Sequence, residues 1–173
     1  ALSVGFVKAK GDVVFTMDAD LQDDPKEIPR FIEKLEEGYD VVCGWKIVRH
    51  DPWHKRGPSR IYNWSVARIF GLPLHDVNCG FKAFRREVVK YIQVYGDLYR
   101  LIPVFAHNLN YSVTEIPVEH HARRYGQSKY GRERLFRGAV DVMTVWFLGK
   151  WRHRPGHFFG NLGFAAIGLG LLS

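Results

Sequence analysis

The sequence predicts an α/β domain, a mostly parallel sheet with flanking helices, and three observations carry that prediction. An apolar, β-branched and aromatic run, Val13-Val14-Phe15, ends abruptly in acids, as a buried strand does when it reaches the edge of its sheet. An amphipathic segment follows, and then a second apolar run, Tyr39-Asp40-Val41-Val42-Cys43-Gly44. Strand, helix and strand joined by a short crossover imply parallel pairing. Finally, 173 residues at 46% hydrophobic and 25% charged suit one domain with a sizeable core and argue against disorder.

The first strand runs from Val13 to Met17 behind a helical segment, Ala1 to Lys10, that Gly11 stops. It delivers Thr16-Met17-Asp18-Ala19-Asp20-Leu21-Gln22-Asp23-Asp24-Pro25. Ligands bind at the carboxyl edge of open α/β sheets. Asp18 and Asp20 are two apart and share a face on an ideal strand. Like charges so placed repel unless a cation lies between them. A hard divalent ion with oxygen ligands, Mg²⁺ or Mn²⁺, resolves that conflict and shares its coordination with substrate phosphates. The plainer alternative is a polar loop in which Asp23 or Asp24 caps the next helix ahead of Pro25.

That helix spans Pro25 to Glu37, with Ile28, Phe31, Ile32 and Leu35 on one face, Pro29 in its first turn and Gly38 as its stop. After the second strand, Trp45 to Arg60 reads as a basic, proline-broken, exposed loop. Lys46, Arg49, Arg56 and Arg60 in it suit capture of a phosphate at a membrane surface, and a solvated loop is the alternative. Ser59 is expected to cap a helix reaching about Phe70, ended by Gly71 and Pro73. A short strand is expected after Gly80, helix from Glu87 to Val94, helix from about Tyr99 to Asn108, and a strand from Tyr111 to Val118.

The run Glu119 to Tyr130 sets cations beside a turn that glycine permits, with a hydroxyl and tyrosines nearby. Such a loop suits a pyrophosphate; a basic surface loop is the alternative. His120-His121 lacks the further ligands a zinc site needs. Gly131 to Trp151 reads as a long amphipathic helix with Leu135, Phe136, Ala139, Val142, Met143, Trp146 and Phe147 on its apolar face. Arginines near its start and Trp151 at its end fit a helix lying in a membrane interface, with ordinary core packing the alternative. Phe158 to Ser173 is uncharged and glycine-containing, 16 residues where a bilayer needs about 20, and reads as the first part of a transmembrane helix. Basic residues just ahead of it put the soluble part on the cytoplasmic face.

The octet Asp-Ala-Asp-Leu-Gln-Asp-Asp-Pro behind an apolar strand resembles the metal- and nucleotide-sugar-binding motif of the family 2 glycosyltransferases. Within them it is similar to the polyprenyl-phosphate branch, the dolichyl-phosphate mannosyltransferases and undecaprenyl-phosphate glycosyltransferases. Asp76-Val77-Asn78-Cys79-Gly80-Phe81-Lys82 resembles that branch's segment flooring the sugar pocket. His120, Arg123, Gly126, Ser128, Lys129 and Tyr130 match its His-x-x-Arg-x-x-Gly-x-Ser-Lys-Tyr motif.

The resemblance covers nearly the whole chain and implies a GT-A-like domain in residues 1–130. A juxtamembrane helix and linker (131–156) and the start of a membrane segment (157–173) follow. It implies metal-dependent, inverting transfer of a sugar from GDP-mannose or a UDP-hexose to a polyprenyl phosphate. Asp18, Asp20 and Gln22 would hold Mg²⁺ or Mn²⁺; Asp76 would face the transferred sugar, an Asx-turn being its plainer alternative. Arg123, Ser128 and Lys129 would bind the donor phosphates. Arg100, His120 and Tyr130 would stand behind the site, Arg100 equally as a buried structural arginine. Gly44-Trp45-Lys46 stands where many relatives have Gly-Ser-Arg. Lysine is a point charge rather than a fork, so Arg49 or Arg56 is the alternative phosphate ligand.

The family's amino-terminal strand has no counterpart here, so the chain is expected to be cut at both ends. A catalytically incomplete, membrane-docked binding module is the second functional class. The net charge of +7 calls for an anionic partner, and the phosphorylated substrates and membrane answer it. Acidic motifs interrupt the basic residues, and no helix-turn-helix or zinc-finger spacing is present, which argues against nucleic acid. Two cysteines, Cys43 and Cys79, without metal-ligand spacing predict free thiols. A homo-oligomer is compatible with all of this.

Overall fold

Val13–Thr16 forms the first strand (β1) of a computed structural model that describes residues 2–47, 53–92, 98–121, 133–151 and 154–172, without the side chains of 53–56, 58 and 133–136. A helix, α1 (Leu2–Lys8), precedes it. The Asp24 side chain accepts the Lys26 N–H and so starts a 3₁₀ turn, Pro25–Glu27, which runs into α2 (Ile28–Glu36). Gly38, at φ +107°, ends that helix as expected. Next come β2 (Val41–Lys46), α3 (Trp53–Phe70), β3 (Lys82–Arg85) and α4 (Arg86–Tyr91). A second 3₁₀ turn, Leu98–Leu101, leads into α5 (Ile102–Asn108), then β4 (Val113–Val118), α6 (Glu133–Trp151) and α7 (Pro155–Leu171).

The sheet order is β1-β3-β2-β4, and this corrects the expected pairing of the first two strands with each other. β3 lies between them and is antiparallel to both, with Thr16 opposite Lys82 and Val42 opposite Ala83. β4 pairs with β2 in parallel, from Val41 opposite Val113 to Lys46 opposite Val118. β1, β2 and β4 therefore run the same way, and the sheet is mixed. The carboxyl ends of those three strands and the amino end of β3 share one edge.

Alternation along the strands splits the core between the two faces. Val41, Cys43 and Phe84 look toward a cluster with Val66, Leu101, Val104, Val142 and Val145. Val42, Ala83 and Phe81 look toward Phe31 and Leu35 of α2, with Ile116 and Val118. Phe31 and Phe81 are fully buried, 4.4 Å apart at their ring centroids, and each contributes roughly 1.5–3 kcal/mol by burial alone. At the far edge, Lys90 Nζ donates to the carbonyls of Phe6, Val7 and Ala9, closing the carboxyl end of α1.

The segment expected to be loop as far as Arg60 is helical from Trp53, so Ser59 is not its cap. Pro58 falls in the second turn of α3, where proline removes one backbone hydrogen bond and the helix continues around it. α6 turns Val142 and Val145 into the core, while Met143 and Val140 stay exposed, so its inward stripe is rotated from the expected face. α7 buries none of its residues; Phe164, Ile167, Leu169 and Leu171 are all exposed. Its start touches α6, where Phe158 packs against Trp146, Phe147 and Trp151. Among the described residues no helix is long and apolar enough to cross a membrane.

Cys43 and Cys79 are free and buried. Burial pushes their thiols up to about 12 and about 11, with Lys82 and Lys46 pulling the other way. An aromatic disulfide reagent at pH 8 should therefore find essentially no reactive thiol in the native protein and both after denaturation. Rapid reaction before denaturation would contradict this packing.

Candidate active site

Thr16 Oγ1 donates to the Gly80 carbonyl at 2.8 Å, tying the end of β1 to the turn that precedes β3. Beyond it the Asp18 carboxylate lies flat against Gly80. A Cβ built on Gly80 would stand 2.6 Å from Asp18 Oδ2 and 2.8 Å from Cγ, closer than real atoms approach. The two motifs thus meet side by side, and only glycine leaves room. Gly80→Ala should push the carboxylate aside while the core behind it stays intact. A displacement of that size at a reacting centre costs about 10²-fold in rate. Melting within a few degrees of wild type, with activity lost, is the expected pair of measurements; unchanged activity would mean that the contact does not matter.

Asp18 is exposed and Asp20 half-buried at the sheet edge. Asp20 Oδ1 accepts the Gln22 N–H at 3.3 Å, which closes the loop around Leu21. Leu21 stands at φ +61°, a conformation rare for a branched side chain and one that clusters in binding loops. Two carboxylates and a hollow that a Cβ would fill form a hard-oxygen donor set, which fits a divalent ion of the Mg²⁺ or Mn²⁺ type.

Asp23 turns inward and leaves capping to Asp24. Its side chain is fully buried, and Oδ1 lies 3.1 Å from Lys46 Nζ and 3.8 Å from His120 Nδ1, while Oδ2 accepts the Asp18 N–H at 3.4 Å. Burial raises the Asp23 pKa, but His120, Lys46 and the Asp18 N–H outweigh it and hold the carboxyl below its ordinary range. Burial likewise works against the Lys46 ammonium, and Cys79, Asp23 and Asp18 hold it above the usual lysine value. Lys46, expected at an acceptor phosphate, pairs here with Asp23.

Gln22 was expected at the metal; its amide nitrogen donates to the His121 carbonyl at 3.1 Å and sits 3.3 Å from His120 Nε2. With the amide donating, Nε2 accepts, and the ring proton falls on Nδ1, toward Asp23. The His121 N–H donates back to the Gln22 carbonyl at 2.9 Å, and Asp23 and His120 form a β-bridge. The segment leading to residue 122 is thereby fastened to the acid loop. The two histidines diverge: His120 faces Asp23, while His121, Asp24 and Glu119 offer three ligand atoms within 4.8 Å of one another on the surface. Arg49, Arg123, Ser128, Lys129 and Tyr130 lie outside the described residues, as does the side chain of Arg56. Arg60 is exposed on α3. Arg100 is buried, its Nε donating to the Tyr99 hydroxyl at 3.2 Å and its guanidinium over the Tyr99 ring.

On the other side of the edge, Asp76 is buried at 1% exposure, and Lys82 at 4% donates to the Cys79 carbonyl. The turn carrying Asp76 is gripped from two elements. Glu115 on β4 accepts the N–H of His75 at 2.8 Å and of Asp76 at 3.4 Å, and pairs with His75 Nδ1. Asn63 on α3, 5% exposed, donates to the His75 carbonyl at 2.8 Å and accepts from Asn78 Nδ2 at 3.2 Å. The His75 ring stacks on Trp45, 4.2 Å between centroids. Sequence reading missed Asp23, Glu115, Asn63 and His75. The one available signal was the acid at 115, the single charge in the strand Val113–Val118.

The protein-family model described as glycosyl transferase family 2 matches residues 1–92. A dodecaprenyl-phosphate galacturonate synthase of Rhizobium johnstonii is 40% identical over 177 residues, 100% of this chain and 52% of that protein. An undecaprenyl-phosphate 4-deoxy-4-formamido-L-arabinose transferase of Pseudomonas fluorescens is 37% identical over 172 residues, 99% of this chain and 49% of that protein. The chain spans about half the length of the curated relatives it matches. Among solved structures, glucosyl-3-phosphoglycerate synthase from Mycobacterium tuberculosis with Mn²⁺, uridine diphosphate and phosphoglyceric acid superposes at a TM-score of 0.63. It is 15% identical, and the match covers 86% of this chain and 52% of that one. That likeness shows the fold, which is GT-A-like.

Proposed function

Because this chain belongs to glycosyltransferase family 2, we propose that it carries the metal site of an enzyme that moves a sugar from a nucleotide diphosphate to a polyprenyl phosphate. One observation carries the reading: the carboxylate of Asp18 is seated on Gly80 at the edge where three strands end, beside a loop fastened to His120 and His121. The names of the two relatives supply the acceptor class, and the solved neighbour's Mn²⁺ and uridine diphosphate supply the donor and metal class.

Asp18 and Asp20 are the residues to hold Mg²⁺ or Mn²⁺. When bound, such an ion neutralises charge on a departing nucleotide diphosphate. Gln22 ties the acid loop to His120 and His121, and Arg123, Ser128 and Lys129, outside the described residues, are the candidates for the donor phosphates. Asp76 stabilises the cationic sugar centre. The acceptor is a phosphate monoester, already largely ionised at neutral pH, so it needs no strong base and positioning supplies much of the rate. In-line attack inverts the anomeric carbon. Arg49, Arg56 and Arg60 are the cations left for the acceptor phosphate once Lys46 is paired with Asp23. The exposed apolar surface of α7 and its contact with the tryptophans of α6 support docking on a membrane, with the basic residues on the cytoplasmic side.

The test is transfer to undecaprenyl phosphate by the full-length protein in detergent. Labelled UDP-glucose, UDP-galacturonate and GDP-mannose are supplied, with and without Mn²⁺. A lipid-linked product that requires the metal is expected from at least one donor. Binding of donor and Mn²⁺ with no product from any of them would favour a binding module instead.

A further inference from the structure

Asp76 is held in place by more polar contacts than a turn needs. The four-residue turn at 76–79 is closed by the Cys79 N–H on the Asp76 carbonyl at 3.3 Å, and such a turn needs at most one or two further local bonds. Here both backbone N–H groups at its start go to one carboxylate, Glu115, and the carbonyl between them goes to Asn63. Glu115 comes from the middle of β4, in register with Cys43 on β2, and Asn63 comes from α3. The Glu115 side chain is only 11% exposed, so it carries a desolvation cost that an apolar residue at this position would avoid. Its ionised oxygens make charge-assisted bonds to N–H groups, stronger and more directional than neutral ones. The His75 ring is fixed in the same grip, by Glu115 at Nδ1 and by the Trp45 face beneath it. A charge placed deep in a strand to hold one turn still is what preorganisation of that turn's functional group requires.

We infer that Glu115 is a positioning residue for Asp76, acting through the N–H groups of His75 and Asp76 to set where the Asp76 carboxylate stands at the sheet edge. The inference rests on the proposed role of Asp76 toward the sugar. Asn63 completes the grip from the opposite side, and the Trp45–His75 stack keeps the Glu115 contact from rotating away.

The test is a double-mutant cycle in the full-length protein, using whichever sugar donor the wild type turns over with undecaprenyl phosphate. Because the His75 and Asp76 N–H groups share Oε2, a place a Gln amide oxygen could fill, the variant used is Glu115→Met, which keeps the length and removes both acceptors. It should lower kcat roughly 10- to 100-fold, in the range found when a residue behind a functional group is removed. KM for the donor should change less than about twofold, because Glu115 touches neither the acid loop nor the segment at 120 and 121. In an Asp76→Asn background the same substitution should add less than about a further twofold, the mark of two residues acting as one unit. Hydrogen exchange of a peptide spanning residues 74–80 should quicken in Glu115→Met while the peptides of β1 and α2 stay at wild-type rates. An unchanged kcat, or an equal loss in both backgrounds, would overturn the inference, since a scaffold residue lowers activity regardless of Asp76. Wild-type turnover by Asp76→Asn alone would sink the role of Asp76 itself, a failure recognisable without any change at 115.

Discussion

Asp20→Asn is expected to lower sugar transfer by at least about 10²–10³-fold, the scale on which one electrostatic group at a reacting centre is felt. Thermal stability should stay within a few degrees of wild type. The substitution removes the negative charge by which Asp20 is proposed to hold a hard cation, and a neutral amide oxygen replaces it poorly. The fold should tolerate the change because the structural contact survives: the Gln22 N–H reaches Oδ1 at 3.3 Å, and an amide oxygen accepts there equally well. The burden of holding the loop falls on Asp23, which this variant leaves alone. Turnover by a donor-to-lipid assay across a Mn²⁺ series reads the effect. A variant that works like the wild type at every metal concentration would remove the cation from the reading.

Lys46→Met carries the largest expected effect on stability. It leaves the fully buried Asp23 carboxylate with the Asp18 N–H at 3.4 Å and His120 at 3.8 Å as its described partners. Breaking a buried pair by removing one partner costs about 3–5 kcal/mol, because the remaining charge stays out of water. In a domain of this size that lowers Tm by roughly 10 °C. Adding Asp23→Asn should recover much of the loss, since the stranded charge is then gone. The two roles considered for Lys46 separate cleanly here. A contact to an acceptor phosphate would raise KM for the polyprenyl phosphate and leave Tm alone; the ion pair with Asp23 does the reverse. A melting point within 1 °C of wild type would show that the pair does not hold the loop.

Much of the site was readable because its chemistry is local in sequence. An apolar run that stops in Asp18-Ala-Asp20 announces both a strand and its edge, and α2 shows its face through Phe31 and Leu35. What was not readable depends on partners far along the chain. β3 is four residues long, and nothing in Lys82–Arg85 says that it slides between β1 and β2, because strand order is a matter of long-range pairing. Asp23 looks like one more helix cap until Lys46 and His120 close over it. Pro58 suggested a loop where α3 already runs; the helix gives up one backbone hydrogen bond there and continues past it. Glu115 carried the opposite kind of signal: the one charge in its strand, conspicuous but without an address until the turn at 75 and 76 came to it.

The reversed strand has an architectural consequence. A β3 running with its neighbours would have sent its leading turn to the opposite rim, some four residues' rise away. Running against them, it lets residues 76–80 arrive as a separate insert among strand tails. That insert belongs to its own stretch of gene and is braced by its own struts, Glu115 and Asn63. Evolution can remodel this wall of the edge by trading one short cassette, while the acids that follow β1 stay as they are.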